Sequence, residues 1–250
     1  MNRLAQARNL ALTAAAFSAI ALSAQAGPTV NYVTNGDFNS TNCGTSNCEL
    51  GNGGGYGDTS TGALTGWTTT SGYSWVVYLT GAGNSAIPGG SINLNGQSGA
   101  VSMNFASLSP TGNNFLVQDS NFNTGTLSQT LTGLTIGATY SVSFSEAAAQ
   151  QSGFSGQTSD YWTVGFGTKT LDSPTLTIGM GGFSGWVQVA LNFTAAASSQ
   201  VLSFTAVGTG APPFAALDGV SVQVPEPASF ALLGAAVLGL AAIRRRRNHG

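Results

Sequence analysis

Two segments alternate apolar and polar residues with a period of two, and this alternation restricts the fold more than any other feature. In residues 139–145, Tyr140, Val142 and Phe144 alternate with threonine and serine. Residues 186–193 repeat the pattern, with valine, leucine and phenylalanine at every second position. Successive side chains of a strand point to opposite faces, so each segment is typical of a half-buried antiparallel strand.

The same signals, separated by glycine-rich breaks, recur through the middle of the chain. Further strands are predicted at 127–132, 161–167, 200–207 and 217–224, with one or two more within 67–79. Loops are predicted at 41–62 and 81–99, and the alanine triplets at 147–149 and 195–197 are interpreted as loops or single turns. Helix signals are scarce, so the pattern predicts one all-β domain, an antiparallel β-sandwich of jelly-roll type.

The N-terminus has the three parts of a secretory signal peptide. Arg3 and Arg8 form a basic region, residues 10–22 are apolar, and Ala24-Gln25-Ala26 forms an A-x-A cleavage site. We expect signal peptidase to remove residues 1–26, so that the exported chain begins at Gly27. A retained membrane helix is the alternative, but the apolar stretch is short for one.

The C-terminus combines a proline-rich junction, an apolar run and a basic cluster, in that order. These are Pro225, Glu226 and Pro227, then residues 228–243, then Arg244, Arg245, Arg246 and Arg247. As a helix the apolar run would span about 24 Å, slightly less than a typical hydrocarbon core. The arginines would hold its end in the cytoplasm. We therefore predict a β-sandwich over 27–223 and a membrane-inserting signal over 224–250.

This order resembles the PEP-CTERM sorting signal of Gram-negative bacteria. The resemblance implies that an exosortase, a membrane-embedded cysteine protease-transpeptidase, cuts near Pro-Glu-Pro and passes the protein from the inner membrane to the cell surface or beyond. Such systems usually accompany exopolysaccharide production. An ordinary tail anchor is the alternative; it would explain the span and the arginines but not the Pro-Glu-Pro.

Removal of both ends leaves an acidic segment. Between Gly27 and Val224, Lys169 is the only basic residue against eight acidic ones, a formal net charge of −7 compared with −2 for the whole chain. This charge repels nucleic acid and excludes it as a partner. The only histidine, His249, lies in the tail, so histidine-based nucleophile systems and histidine zinc sites are excluded from the exported segment.

Cys43 and Cys48 are the only cysteines of the chain. In an exported protein they predict a disulfide. A thiolate metal site is the alternative, but it needs more ligands than the chain supplies.

A second resemblance covers most of the exported segment. It rests on Asn35-Gly36-Asp37-Phe38-Asn39 followed by Gly66-Trp67, on 127–131, 133–134 and 137–144, and on 217–222. These patches resemble the galactose-binding-like jelly rolls and related carbohydrate-binding modules. The resemblance implies that the first and last strands lie side by side and share one structural calcium ion, held here by Asp37 and Asp218, with Asn39 where the family often has glutamate. Alternatively, both aspartates are turn residues.

Sugar recognition uses flat aromatic faces with polar groups at their rim. The candidates are Tyr73, Trp75 and Tyr78 in one segment and Asp160, Tyr161 and Trp162 in another, with Gln157 nearby. Tyr161 and Trp162 are adjacent, so they point to opposite faces of a strand and at most one faces the core. The alternative for each aromatic residue is an anchor in the core or in a loop, as we expect for Trp67 and Trp186.

An enzyme that uses two carboxylates is a further alternative, with Glu146, Asp160 and Asp172 as candidates. No spacing in the sequence brings two of them together. We therefore expect a non-enzymatic, exosortase-processed surface protein that associates with exopolysaccharide or biofilm matrix. The alternatives are a purely structural or adhesive matrix protein and a glycan-active enzyme.

Overall fold

The computed structural model describes residues 30–42, 48–50, 64–70, 74–77, 94, 110–112, 114–151 and 153–225. These residues form twelve strands: β1 Cys48–Glu49, β2 Thr68–Thr69, β3 Ser74–Val77, β4 Phe115–Asp119, β5 Leu127–Thr132, β6 Thr139–Gln150, β7 Thr158–Phe166, β8 Lys169–Asp172, β9 Leu176–Ile178, β10 Val187–Thr194, β11 Ser199–Gly210 and β12 Pro213–Gln223. The predicted strands are all present. Strands β7 and β12 begin earlier than predicted, and β6 and β11 end later.

The strands form two antiparallel sheets. The first sheet has the order β1-β3-β4-β12-β6-β10, and the second has the order β2-β5-β11-β7-β8, with β9 also paired to β7. The predicted all-β antiparallel sandwich is confirmed. Strand β1 lies within the predicted loop 41–62 and pairs with β3.

The main core lies between the sheets and is built by the period-two pattern. Tyr140, Val142 and Phe144 of β6 are buried, whereas the serines between them are half-buried on the other face. Phe204 of β11 occupies the centre, with its ring 5.3 Å from Phe144 and 6.1 Å from Trp162, both edge-on. Such pairs add to the free energy gained by burying the rings.

A second core covers one end of the outer face of the first sheet. It contains Leu94, Phe115, Val117, Ala147, Ala149, Phe214 and Ala216, with Phe183 and Trp186 packed against it. The Trp186 ring lies 5.4 Å from that of Phe115, edge-on. The segment around Phe183 is fixed by a bridge to Ala149. This end of the face is therefore occupied by the chain itself.

The second core explains why one loop prediction was wrong. The alanine triplet 147–149 continues β6 rather than ending it, in register with 214–216 of β12. Both faces of the strand are buried here, so small apolar side chains occur at successive positions and apolar and polar residues no longer alternate. This burial overrides the low strand propensity of alanine. The triplet 195–197 follows β10, as predicted for a loop.

Several predictions lie outside the described residues. They are the signal peptide with Ala24, Ala26 and Gly27, the tail from Glu226 and Pro227 to Arg244, Arg245, Arg246 and Arg247, Cys43 of the disulfide, and Tyr73 and Tyr78. In the described part of the chain, no helix has the length and apolar character needed to cross a membrane.

Candidate functional site

The N-terminal segment lies beside the last strand, as the resemblance implied. The Tyr32 N–H donates to Val222 O at 3.0 Å, and the Val220 N–H donates to Gly36 O at 2.9 Å. A Cβ on Gly36 would lie 1.9 Å from Val220 O, so this close backbone approach requires glycine. The junction fixes the surroundings of Asp37 and Asp218.

Hydrogen-bond donors surround both aspartates of the predicted calcium site. Asp37 Oδ2 accepts from the Asn39 side-chain amide at 2.7 Å. Asp218 is buried and accepts from the N–H and hydroxyl of Thr111 at 3.0–3.2 Å and from the Gly219 N–H at 2.7 Å. Calcium binds six to eight oxygens, so it would compete with these donors for the same carboxylates. Among the described residues no group of three acidic, histidine or cysteine side chains could hold a metal. These hydrogen bonds satisfy both carboxylates within a junction of the chain itself, and the shared calcium ion stays a prediction.

The three carboxylate candidates separate into a buried pair and an exposed residue. Glu146 on β6 is 1% exposed and Asp160 on β7 is 2% exposed. Burial raises the pKa of Glu146 to about 7, against a lowering effect of its hydrogen bond from Ser173. Burial, and then the neighbouring Glu146, raise the pKa of Asp160. Asp172 is exposed and accepts from the Thr163 hydroxyl at 2.8 Å.

The structure separates the predicted sugar-binding aromatics. Trp162 is 1% exposed, and its Nε1–H donates to Ala216 O of the first sheet at 3.2 Å. Its ring is enclosed in the core and has no free face for a sugar, which corrects the prediction that Trp162 contacts a glycan. Asp160 is buried as well, so it cannot bond the hydroxyls of a surface glycan as predicted. Tyr161 lies on the opposite, outer face of β7 and is half-buried. Trp75 is paired in register with Val117 on β4.

The outer face of the second sheet, here called the open face, is rich in hydroxyl side chains. Register pairs across it include Ser128 with Ser203, Thr205 with Thr163, and Ser159 with both Thr209 and Thr177. These residues are half-buried or exposed, as expected for a sheet face open to solvent. The open face is the better candidate surface, because the second core covers one end of the outer face of the first sheet.

At one end of the open face lies a groove of about 270 Å³. It is lined by Gln157, Thr158, Ser159, Thr177, Thr209 and Gly210, and we call it the hydroxyl groove. The hydroxyls of Ser159 and Thr209 are 3.1 Å apart, and Thr177 continues the row on β9. Neighbouring strands are about 4.8 Å apart, so this row presents hydroxyls at a regular spacing.

Gly210 gives the hydroxyl groove its shape. Its φ is 99°, and a Cβ at this position would lie 2.3 Å from Gln157 O. Only glycine adopts this backbone at such close range without strain. The chain can therefore turn from β11 beside Gln157, whose exposed amide stands at the rim of the groove.

Tyr161 lies next to the hydroxyl groove. It follows Ser159 by two residues on the same face of β7 and is paired with Val207 on β11. An aromatic ring, a valine and a row of hydroxyl and amide groups thus occur together on one surface. This combination can contact the apolar C–H faces of a sugar and exchange hydrogen bonds with its hydroxyls.

Of the residues on this candidate surface, sequence reasoning named Tyr161 and Gln157 but not Ser159, Thr177 and Thr209. The predicted strand began at residue 161, three residues after the true start of β7. Alternation of Ser159, Tyr161 and Thr163 with buried neighbours was the signal that could have extended it. The pairing with Thr177 and Thr209 depends on the topology and has no local signal.

Comparison with curated protein sequences found no match. Similar solved structures include a carbohydrate-binding module, TmCBM61 in complex with beta-1,4-galactotriose, with a TM-score of 0.39 and 12% identity, covering 78% of this chain and 99% of that chain. Another is a structure of CBM4, with a TM-score of 0.34 and 14% identity over 76% of this chain and 97% of that one. A third is the CBM22-1 xylan-binding domain from Paenibacillus barcinonensis Xyn10C, with a TM-score of 0.35 and 13% identity over 65% of this chain and 87% of that one.

The C-terminal signal has a direct match. Residues 223–247 match the PEP-CTERM protein-sorting motif, which confirms the motif predicted from Pro225, the apolar run and the arginines.

Proposed function

We propose that this protein is exported from a Gram-negative bacterium, processed by exosortase at its PEP-CTERM motif, and binds neutral glycans of the surrounding exopolysaccharide without cleaving them. Signal peptidase and exosortase are its processing partners, and the cell surface or extracellular matrix is its destination. The observation that carries the proposal is the row of Thr177, Ser159 and Thr209 beside Tyr161 on the open face. The sorting motif supports the route of export.

Charge favours neutral glycans over acidic ones. The exported segment has a formal net charge of −7, and Lys169 is its only basic residue. A polyanion would approach this surface against repulsion and would find no arginine to pair with its carboxylates. Hydroxyl and amide groups, in contrast, can donate to and accept from uncharged sugar hydroxyls.

The test measures binding of the exported segment, Gly27 to Val224, to a neutral polysaccharide and to a uronic-acid polysaccharide. We expect saturable binding to the neutral chain only. Tyr161→Ala should weaken it about tenfold, because the apolar contact is lost, and Ser159→Ala should weaken it about three- to tenfold through a lost hydrogen bond. Ile136→Ala and Thr130→Ala are the matched controls, since both residues are exposed and neither lines the hydroxyl groove. Thr130 is paired with Val201 on the second sheet, and Ile136 lies in the turn that follows β5.

Two results would favour the alternatives. Absence of saturable binding to any glycan would leave a structural or adhesive matrix protein. Release of reducing sugar that is abolished by Glu146→Gln or Asp160→Asn would establish an enzyme. The burial of both carboxylates opposes the second outcome, because a polysaccharide cannot reach them in this structure.

A further inference from the structure

Glu146 and Asp160, here called the acid pair, lie inside the sandwich between the two sheets. Glu146 is on the same face of β6 as Phe144, and Asp160 is on the same face of β7 as Trp162. Ser173 links the two strands: its hydroxyl donates to Glu146 Oε2 and accepts the Trp162 N–H at 2.9 Å. The acid pair is therefore part of the contact between β6 and β7.

Each acid has one buried oxygen without a hydrogen-bond partner. These atoms are Glu146 Oε1 and Asp160 Oδ2. An ionised carboxylate that is buried without a partner is strongly unfavourable, so such groups take up a proton instead. Two acids close together disfavour double ionisation further.

The strands packed around the acid pair offer no positive charge. The register neighbours of Glu146 are Val187 on β10 and Leu217 on β12. Those of Asp160 are Leu176 on β9 and Gly208 on β11.

The remaining charged groups near these strands do not change this result. Lys169, the only base of the exported segment, is exposed at the start of β8 in register with Phe166. The carboxylate of Asp218 accepts from Thr111, and that of Asp172 accepts from Thr163. Among the described residues, protonation is thus the means by which the acid pair avoids buried charge.

Asp160 also connects the acid pair to the hydroxyl groove. It stands between Ser159 and Tyr161, which point to the open face. A strand is stiff over three residues, so displacement of Asp160 must move its two neighbours. The surface proposed to bind glycans is therefore the outer side of the strand whose inner side carries the acid.

We propose that the acid pair is a pH-sensitive support of the hydroxyl groove: in its protonated form it holds β7 against β6, and its ionisation displaces β7 and distorts the row of Ser159, Thr177 and Thr209. As a regulatory mechanism this rests on the proposed glycan function, whereas the effects on structure and stability do not. Binding would then be strongest in a mildly acidic surrounding and would weaken as the pH rises.

The sign of the pH effect follows from the pKa of the acid in each state. The pKa of Glu146 rises from the ordinary 4.5 to about 7 on folding. Below 4.5 the acid is protonated in both states and the stabilisation is fully present. Between these values only the unfolded chain loses its proton, so stability falls as the pH rises, and the loss is complete above about 7. Asp160, whose pKa is also raised, adds to the loss in the same direction.

The test follows the amide NMR shifts of Ser159, Thr177 and Thr209 and the thermal midpoint of the Gly27–Val224 segment from about pH 4 to about pH 9. We expect the three amides to titrate together with the Glu146 side-chain carboxyl, around its folded-state pKa of about 7. The thermal midpoint should fall as the pH rises from about 4.5 to about 7, because over that interval only the unfolded chain loses the proton. Glu146→Gln should reduce both changes, since glutamine cannot ionise. Asp172→Asn, a change of an exposed carboxylate beside β7, should leave them as in the unaltered protein.

Three results would overturn the proposal: groove amides that do not follow the Glu146 carboxyl, a midpoint independent of pH in this range, or a Glu146→Gln profile parallel to that of the unaltered protein. Ser173→Ala provides a second variant if Glu146→Gln does not fold. It removes the hydrogen bond that lowers the Glu146 pKa, so the titration should move to higher pH. Glycan binding is not needed for these readouts, so a failure of the proposed function would leave them unaffected and distinguishable.

Discussion

Trp162 and Tyr161 are adjacent, and their substitution should have opposite consequences. Trp162→Phe removes the hydrogen bond from Nε1 to Ala216 O, which joins the two sheets. It also removes one ring of an indole that packs edge-on against Phe204. The hydrogen bond contributes about 1 kcal/mol. The lost ring volume adds about 1–2 kcal/mol because the surrounding core relaxes only in part. We expect a total loss of about 2–3 kcal/mol in the free energy of unfolding.

For a domain of this size the loss corresponds to a thermal midpoint lower by about 4–12 °C. Tyr161→Ala should lower it by only a few degrees, because surface strand substitutions cost about 1 kcal/mol or less. Thermal unfolding monitored by circular dichroism, together with a glycan titration below both midpoints, measures the two effects separately. Trp162→Phe should retain the affinity and Tyr161→Ala should lose it. If Trp162→Phe lost affinity at an unchanged midpoint, the assignment of Trp162 to the core and Tyr161 to the binding surface would be refuted.

Two further predictions concern the junction of the N-terminal segment with β12. Gly36→Ala should lower the urea midpoint by the equivalent of about 2–3 kcal/mol, because its Cβ would lie 1.9 Å from Val220 O. Gly179→Ala is the control: its Cβ would meet nothing within 4 Å, so the midpoint should not change. Equal midpoints for the two variants would contradict the close approach of Gly36 to Val220. Calcium or a chelator should leave the thermal midpoint unchanged if the hydrogen-bond donors keep the carboxylates of Asp37 and Asp218. A midpoint that rises with calcium concentration would instead support the predicted calcium site.

The sequence predicts those strands that have one face buried and the other exposed to solvent. Residues 139–145 and 186–193 alternate for that reason, and their strands are where the pattern placed them. The pattern is absent where both faces are buried. Phe115 to Asp119 on β4 and the triplet 147–149 on β6 have covered residues on both sides, so alternation cannot mark them.

The candidate site is less predictable because it depends on long-range pairing. Ser159 and Thr209 are 50 positions apart in the sequence, yet their hydroxyls are 3.1 Å from each other. The local sequence around either residue gives no indication that the other is its partner. Tyr161 and Trp162 could be assigned to opposite faces from the sequence, but only the described core shows which of them faces inward.

The low number of basic residues connects the surface of this domain to its interior. With Lys169 alone between Gly27 and Val224, the surface has almost no basic group to pair with an acidic polymer, which is why we propose a neutral glycan as its ligand. The same composition leaves no base to neutralise Glu146 and Asp160 in the core. A protein richer in arginine could fix two such acids in salt bridges and keep its stability independent of pH. Here the acids depend on protons, so the composition that favours neutral ligands also makes the support of the hydroxyl groove sensitive to pH.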